Sequence, residues 1–320
     1  MTIREPRTPG PVGNEESWNE SLYAWWYDTS AGVAGFVRIA HNPRERRAQV
    51  WTGVITRDGR RFRRWDDELL FTDALRGSGR WQADGLCLAF TDDDTFHVTY
   101  SCAECEIDLV ATDLHTPMSL QAASGDVSAE KVESMIGKGH VEASIRALGR
   151  VRLGGDEFAI DGMGHRDHSW GPRHLMDIRS TRWFHGTTGS DFAFSAATGV
   201  MSTGGVHRAG YIVRDSTISP LSEVNIILHT EIDGLSWRRA DFILTPVGGE
   251  SLHGTLDGVF DGMVFGSKEF IAFETAARLV IDGHTGVGNC QTSNNPFGGV
   301  SMPAMASLAS VTDGLCLRPP

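Results

Sequence analysis

The chain has 320 residues, 40% of them hydrophobic and 22% charged, which suits two domains that each bury a core and excludes wholesale disorder. A net charge of −12 repels phosphate backbones and anionic headgroups, so nucleic acid and membrane surfaces are excluded as partners. No apolar run reaches membrane-spanning length, and an odd count of five cysteines with a polar, leaderless start predicts a cytoplasmic protein in a reducing compartment.

Residues 1–17 hold Pro6, Pro9, Gly10, Pro11 and Gly13 among polar side chains and predict a flexible, loosely held arm. From residue 18 onward, short alternating runs such as Phe96–Tyr100 and Val224–Leu228 are separated by turn dipeptides. Asp-Gly recurs at Asp58-Gly59, Asp84-Gly85, Asp161-Gly162, Asp233-Gly234 and Asp282-Gly283, the strongest short signal for a hairpin turn. Arg44, Arg46, Arg47, Arg57, Arg60, Arg61, Arg63 and Arg64 bracket the first of these and read as a charged hairpin tip. Cys102 and Cys105 look like half a zinc ribbon, but no second pair follows at ligand spacing, so they read as thiols at a strand end.

One segment is helical in pattern: residues 128–136, with Ser128 as N-cap and Gly137 as stop. A strand then runs from near His140 through Leu153, turns at Gly154-Gly155 and continues from Glu157 to Ile160. An internal echo follows. Tyr23-Ala-Trp-Trp-Tyr-Asp28 leads into Gly35-Phe-Val-Arg-Ile39, and Trp183-Phe-His-Gly-Thr-Thr188 leads into Asp191-Phe-Ala-Phe-Ser195. The expected fold is all-β: two consecutive antiparallel barrels, residues 18–175 and 176–320.

The densest polar constellation is Gly162-Met-Gly-His-Arg-Asp-His-Ser-Trp-Gly-Pro-Arg173. In a regular strand His165, Asp167 and Ser169 face one way and Arg166, His168 and Trp170 the other. Phe158 and Ile160 share the second parity, which turns Arg166, His168 and Trp170 inward. A bulge at Gly162 and Gly164 would instead bring Asp167 inward. Three readings stand side by side. Arg166 and Arg173 pair with Asp167 as a buried latch; or Asp167 beside an imidazole is an acid–base site; or His165, Asp167, His168, His174, His185 and His207 supply a metal site. His-x-Asp-His has no established metal spacing, so no metal is assigned. Glu142, just after His140, is either a partner of this motif or a surface carboxylate.

Gly164–Arg173 resembles the signature of the tandem-lipocalin proteins related to carotenoid 1,2-hydratase (hydroxyneurosporene synthase). The early Trp25-Trp26-Tyr27 to Gly35-Phe-Val-Arg38 hairpin and the later Gly210-Tyr-Ile-Val-Arg-Asp215 match as well, over most of residues 20–290. The resemblance implies two lipocalin-like (calycin) barrels with a cavity for a hydrophobic small molecule. It also implies hydration of an isolated terpenoid or prenyl alkene, or guidance of a pericyclic cyclisation. Protonating an alkene makes a carbocation, which calls for a strong acid, aromatic faces and a placed water. Asp167 is the candidate acid, His168 or His185 would orient water, and Arg166 completes the catalytic set. Trp26, Tyr27, Trp170, Trp183 and Phe184 are candidate walls, with Arg173, Glu142 and His207 as further substrate contacts. The expectation is a cofactor-independent lyase or isomerase acting on an apolar isoprenoid-like or polycyclic molecule. A non-catalytic carrier of such a molecule is the alternative.

Overall fold

A computed structural model describes residues 5–91, 95–119, 137–174, 177–266, 271–295 and 314–316. The helix expected at 128–136 lies outside the described residues. Strand accounts for 70% of the chain and helix for 3%, far from the helical third of an average globular protein, so the all-β expectation holds.

In chain order the strands are β1 (Trp18–Asp28), β2 (Val33–Asn42), β3 (Arg47–Thr56), β4 (Arg61–Leu70), β5 (Trp81–Ala83), β6 (Leu86–Phe90), β7 (Phe96–Ser101), β8 (Cys105–Asp113), β9 (Met118–Ser119), β10 (Gly139–Leu153) and β11 (Asp156–Pro172). There follow β12 (Ile178–Thr187), β13 (Phe192–Met201), β14 (Val206–Arg214), β15 (Thr217–Thr230), β16 (Trp237–Pro246), β17 (Leu252–Gly258), β18 (Met263–Gly266), β19 (Ile271–Glu274), β20 (Ala276–Ile281), β21 (His284–Asn294) and β22 (Gly314–Cys316). The chain divides into two compact units.

The first unit is one curled antiparallel sheet, ordered β22-β4-β3-β2-β1-β11-β10-β8-β7-β6-β5. It is a half-barrel rather than a closed barrel. Its concave face carries the apolar core: Leu22, Ala24 and Trp26 on β1, Val37 and Ile39 on β2, Val98 on β7, Ile107 and Leu109 on β8, and Ile145 and Ala147 on β10. Tyr23, Trp25, Phe36 and Trp51 have the opposite parity and are buried too, so β1 to β3 are covered on both faces. The last of the described strands, β22, pairs with β4 here. This return has no counterpart in the boundaries drawn from sequence.

The second unit closes. Strand β12 pairs with both β13 and β21, completing an eight-stranded antiparallel barrel from β12 to β17, β20 and β21. Phe184, Phe194, Phe242, Leu244 and Leu279 fill it.

Local chemistry explains the turns. Asp84 and Gly85 both take positive φ (44° and 82°), as do Asp282 and Gly283 (45° and 83°). This is the geometry of a two-residue hairpin turn whose twist matches the strands it joins. Asp161-Gly162 is the exception, and the turn expected there does not form. These residues sit inside β11, opposite Leu148 and Ala147. Gly162 is present for close approach instead: a Cβ there would come within 2.9 Å of the Tyr27 carbonyl oxygen.

Gly35 has a related role beneath Trp26. A Cβ at Gly35 would fall 2.0 Å from the indole Cζ2, whereas one at Gly155 meets nothing within 4 Å. Gly35→Ala is therefore expected to cost about 1–3 kcal/mol through overpacking, and Gly155→Ala close to nothing. Urea unfolding of the two variants side by side checks this.

Candidate functional site

The strand that carries the constellation is continuous. β11 pairs with β1 from Trp18–Pro172 to Tyr27–Met163, and with β10 from Gly139–Trp170 to Leu153–Asp156, without a register shift. No bulge swaps the faces. Arg166, His168 and Trp170 therefore share the concave face with Ile160, while His165, Asp167 and Ser169 point to the other. Gly164 permits this tight pairing, because a Cβ there would sit 1.8 Å from the Trp25 carbonyl oxygen.

On the convex face three cross-strand rungs assemble a polar group. Asp167 stands between Tyr23 and Glu142, His165 between Trp25 and Ser144, and Ser169 between Ser21 and His140. Glu142, His140, His165 and Asp167 are all buried. His140 Nε2 donates to Glu142 Oε1 at 2.8 Å, and His165 Nε2 lies 3.6 Å from Glu142 Oε2. Burial pushes the Glu142 carboxyl up, but the hydrogen bonds and charges of His140 and His165 outweigh it and hold the group well below the usual carboxylate range.

Asp167 is the opposite case. Among the described residues it accepts no hydrogen bond and makes no ion pair. Burial raises its pKa, the Glu142 charge adds to the rise, and His140, Arg173 and His165 only partly oppose it. Its side chain keeps a small exposed area, with the residue 7% accessible. Arg173, just past β11, donates through Nη1 to Ser21 Oγ at 3.2 Å, and Ser21 and Ser169 share a hydroxyl bond of 3.0 Å. The arginine thus contributes charge at a distance rather than a salt bridge to Asp167.

The latch exists, but on the concave face and with other partners. Arg166 Nη1 and Nη2 donate to the two oxygens of Glu5 at 2.7 and 3.1 Å, and Nε and Nη2 to those of Asp113 at 2.7 and 2.6 Å. His168 donates through Nε2 to Glu20 at 3.2 Å, with its Nδ1 3.5 Å from Glu5. Glu20 in turn accepts from Arg76 at 2.5 Å. Trp81, Phe90 and Trp170 surround the His168 ring. The segment expected as a loose arm thus supplies Glu5, which is held by a buried guanidinium.

The candidates therefore separate. Asp167, Glu142, Tyr27 and Arg173 belong to the convex side of the first sheet or its end; Arg166, His168, Trp26 and Trp170 belong to the concave side and serve the core and the ion cluster. In the second unit, Phe184 packs on Phe194 and Phe242 inside the barrel. Trp183 and His185 lie on its outer face with ring centroids 4.6 Å apart, and Trp183 Nε1 donates to Ser195 Oγ at 3.1 Å. Glu274, buried in the same unit, accepts from Asn289 at 2.6 Å and from Gln291. His207 is half-buried near the start of β14. Among the described residues, no group of three or more His, Cys, Asp or Glu is arranged to hold a metal ion. No described helix is long and apolar enough to cross a membrane.

A family model described as a domain of unknown function, DUF7064, matches residues 5–296. The chain belongs to the DUF7064 family. No curated protein matches it. Among solved structures, this DUF7064 chain is similar to an AttH protein of Nitrosomonas europaea at 13% identity and a TM-score of 0.60, over 90% of this chain and 98% of that one. It is also similar to CghA crystallised with Sch210972 (12%, 0.59, 92% and 96%). Kievitone hydratase from Nectria haematococca aligns at 10% and 0.56, over 91% and 98%. The likeness establishes a shared lipocalin-like fold.

Sequence reasoning on this DUF7064 chain overlooked Tyr23 and Trp25 as neighbours of Asp167, and Glu5 and Asp113 as partners of Arg166. Strand β1 is buried along its whole length, so its polarity pattern does not mark the first pair. No local signal marks the second, since Glu5 and Arg166 are 161 positions apart.

Proposed function

We propose that this protein is a cofactor-independent lyase of the hydratase kind, with Asp167 as proton donor to an alkene of an apolar isoprenoid-like or polycyclic molecule. The observation that carries the reading is the Asp167 carboxyl, buried, unpartnered and biased toward its protonated form. A carboxyl whose pKa is raised by burial keeps its proton to higher pH than an ordinary surface carboxylate does, which is what a proton donor needs. In the proposed step the Asp167 O–H bond breaks as the proton adds to one alkene carbon, leaving positive charge on the other. The rings of Tyr23 and Trp25, on the same face, stabilise that cation. Water then adds to the cation through oxygen and loses its proton to the Asp167 carboxylate, which restores the acid.

Support comes also from the resemblance of residues 164–173 to the carotenoid hydratase signature and from the kievitone hydratase among the structural neighbours. The decisive experiment incubates the protein with a panel of isoprenoid and prenylated alkenes in ¹⁸O-labelled water. A product that gains one labelled water supports the reading. Stoichiometric binding of these alkenes with neither labelled nor rearranged product overturns it in favour of a carrier.

A further inference from the structure

Each unit carries an arginine on the inner face of its curved sheet, but the two are treated differently. Arg166 in the first is saturated by two carboxylates. Among the described residues, Arg182 in the second has none. It lies on β12 with the lumen parity of Phe184, directly across from Thr292 on β21 and Thr198 on β13. Its one hydrogen bond runs from Nη1 to the carbonyl of neighbouring Thr181 at 2.7 Å. The side chain is half-buried, and burial pushes its guanidinium below the ordinary arginine value.

A second cation continues the same rung. Arg208 on β14 is the cross-strand partner of Thr198 and shares the lumen parity of Ile212. It is exposed, and among the described residues it forms no ion pair either. Three carboxylates at this end of the barrel are engaged elsewhere, and among the described residues none pairs with Arg182 or Arg208. Glu231 pairs with Arg238, Asp233 accepts amides of its own turn, and Asp257 pairs with Arg239. Thr292 donates its hydroxyl to the Leu235 carbonyl at 2.6 Å. Deeper in the barrel, Phe184, Phe194 and Phe242 form an aromatic floor with centroid separations of 5.2 to 5.9 Å.

Taking a guanidinium out of water without a counter-charge is costly, and a like charge on the same rung adds to the cost. An apolar residue at position 182 would be better tolerated if packing were its only task. An anion seated between the two guanidiniums removes both penalties and gains charge-assisted hydrogen bonds. We propose that the rim of the closed barrel binds an amphipathic anion, with Arg182 and Arg208 gripping its acidic head and its apolar body resting on the aromatic floor. The site lies wholly within the second unit and is independent of the Asp167 chemistry.

Two fluorescent probes test this. 1-Anilinonaphthalene-8-sulfonate carries an acidic head, whereas N-phenyl-1-naphthylamine has the same aromatic body without it. The sulfonate is expected to bind at least tenfold more weakly to Arg182→Met and Arg182→Gln than to wild type. Arg208→Met should weaken it by a smaller factor, and the neutral dye should bind all four proteins alike. Arg278, exposed on the outer face of β20, supplies the control: Arg278→Met should change neither dye. Unchanged sulfonate affinity in both Arg182 variants overturns the proposal. So does an equal loss of both dyes in both variants, which would place the binding energy in the walls, and so does an equal loss in Arg278→Met, which would make it surface charge.

Discussion

Asp167→Asn is expected to lower turnover by about a hundredfold or more, the scale of losing a general acid, while the protein stays folded and still binds its substrate. The amide keeps the size and shape of the carboxyl but has no acidic proton to give. Stability should not fall, because no arginine or histidine forms an ion pair with Asp167. The sign of the pKa shift makes this sharper. A carboxyl whose pKa is higher in the folded than in the unfolded chain binds its proton more tightly when folded, so its contribution to stability falls as pH rises from the ordinary value of 3.8 through the raised one. Above that window the wild type carries a penalty that the Asn variant lacks, so the variant should melt at or above the wild-type temperature at neutral pH. Activity follows the same proton: kcat/KM should decline as pH rises through the raised pKa. Full turnover by a folded Asp167→Asn protein would remove Asp167 from the mechanism. A large drop in melting temperature would show instead that the carboxylate is a structural partner.

Much of the architecture was legible because turns and alternation are local. Asp-Gly at 84–85 and 282–283 forms the tight hairpins that its tolerance of positive φ predicts. Of the two alternatives left open for residues 165–170, the unbroken register of β11 selects the one in which Arg166, His168 and Trp170 share the core-facing parity of Phe158 and Ile160. Local pattern is silent where the environment is two-sided or distant. Strand β1 is buried on both faces, so the alternation that would have separated Tyr23 and Trp25 from Trp26 leaves no pattern of polarity. Asp161-Gly162 misled because glycine also serves where two backbones crowd, and only the neighbouring strand distinguishes the two uses. A three-residue strand such as β22 is too short to show any period. The partner of Arg166 was misassigned because adjacent residues in a strand point apart: Asp167, next in sequence, is on the other face, while Glu5 and Asp113 arrive from elsewhere in the chain.

That misassignment leads to the second large effect. Arg166→Met is expected to cost on the order of 3–5 kcal/mol, because it removes the cation from a buried cluster and strands the carboxylates of Glu5 and Asp113. The cost belongs to the stranded charges and not to the ion pairs as such. Replacing all three together, as Glu5→Leu, Asp113→Leu and Arg166→Met, should therefore recover most of it. Acid should expose the same cluster in the wild type. Burial pushes the Glu5 carboxyl up, but Arg166 and His168 outweigh it and hold the group at about 2, below its ordinary 4.5. A depressed carboxyl contributes fully above the unfolded value, and its contribution is lost as pH falls from about 4.5 toward 2. His168 works in the other direction. Burial lowers it, Glu20 and Glu5 raise it further, and the net shift is upward, so its contribution is complete below the ordinary 6.5 and disappears as pH rises through the raised value. Urea unfolding of wild type, Arg166→Met, Glu5→Gln and the triple variant, followed from about pH 2 to about pH 9, measures all of this. Glu5→Gln should flatten the acid limb, since its side chain no longer titrates. If Arg166→Met unfolds at the wild-type midpoint, or the triple variant is no more stable than the single one, the ion cluster is not what ties residues 5–17 to the first sheet.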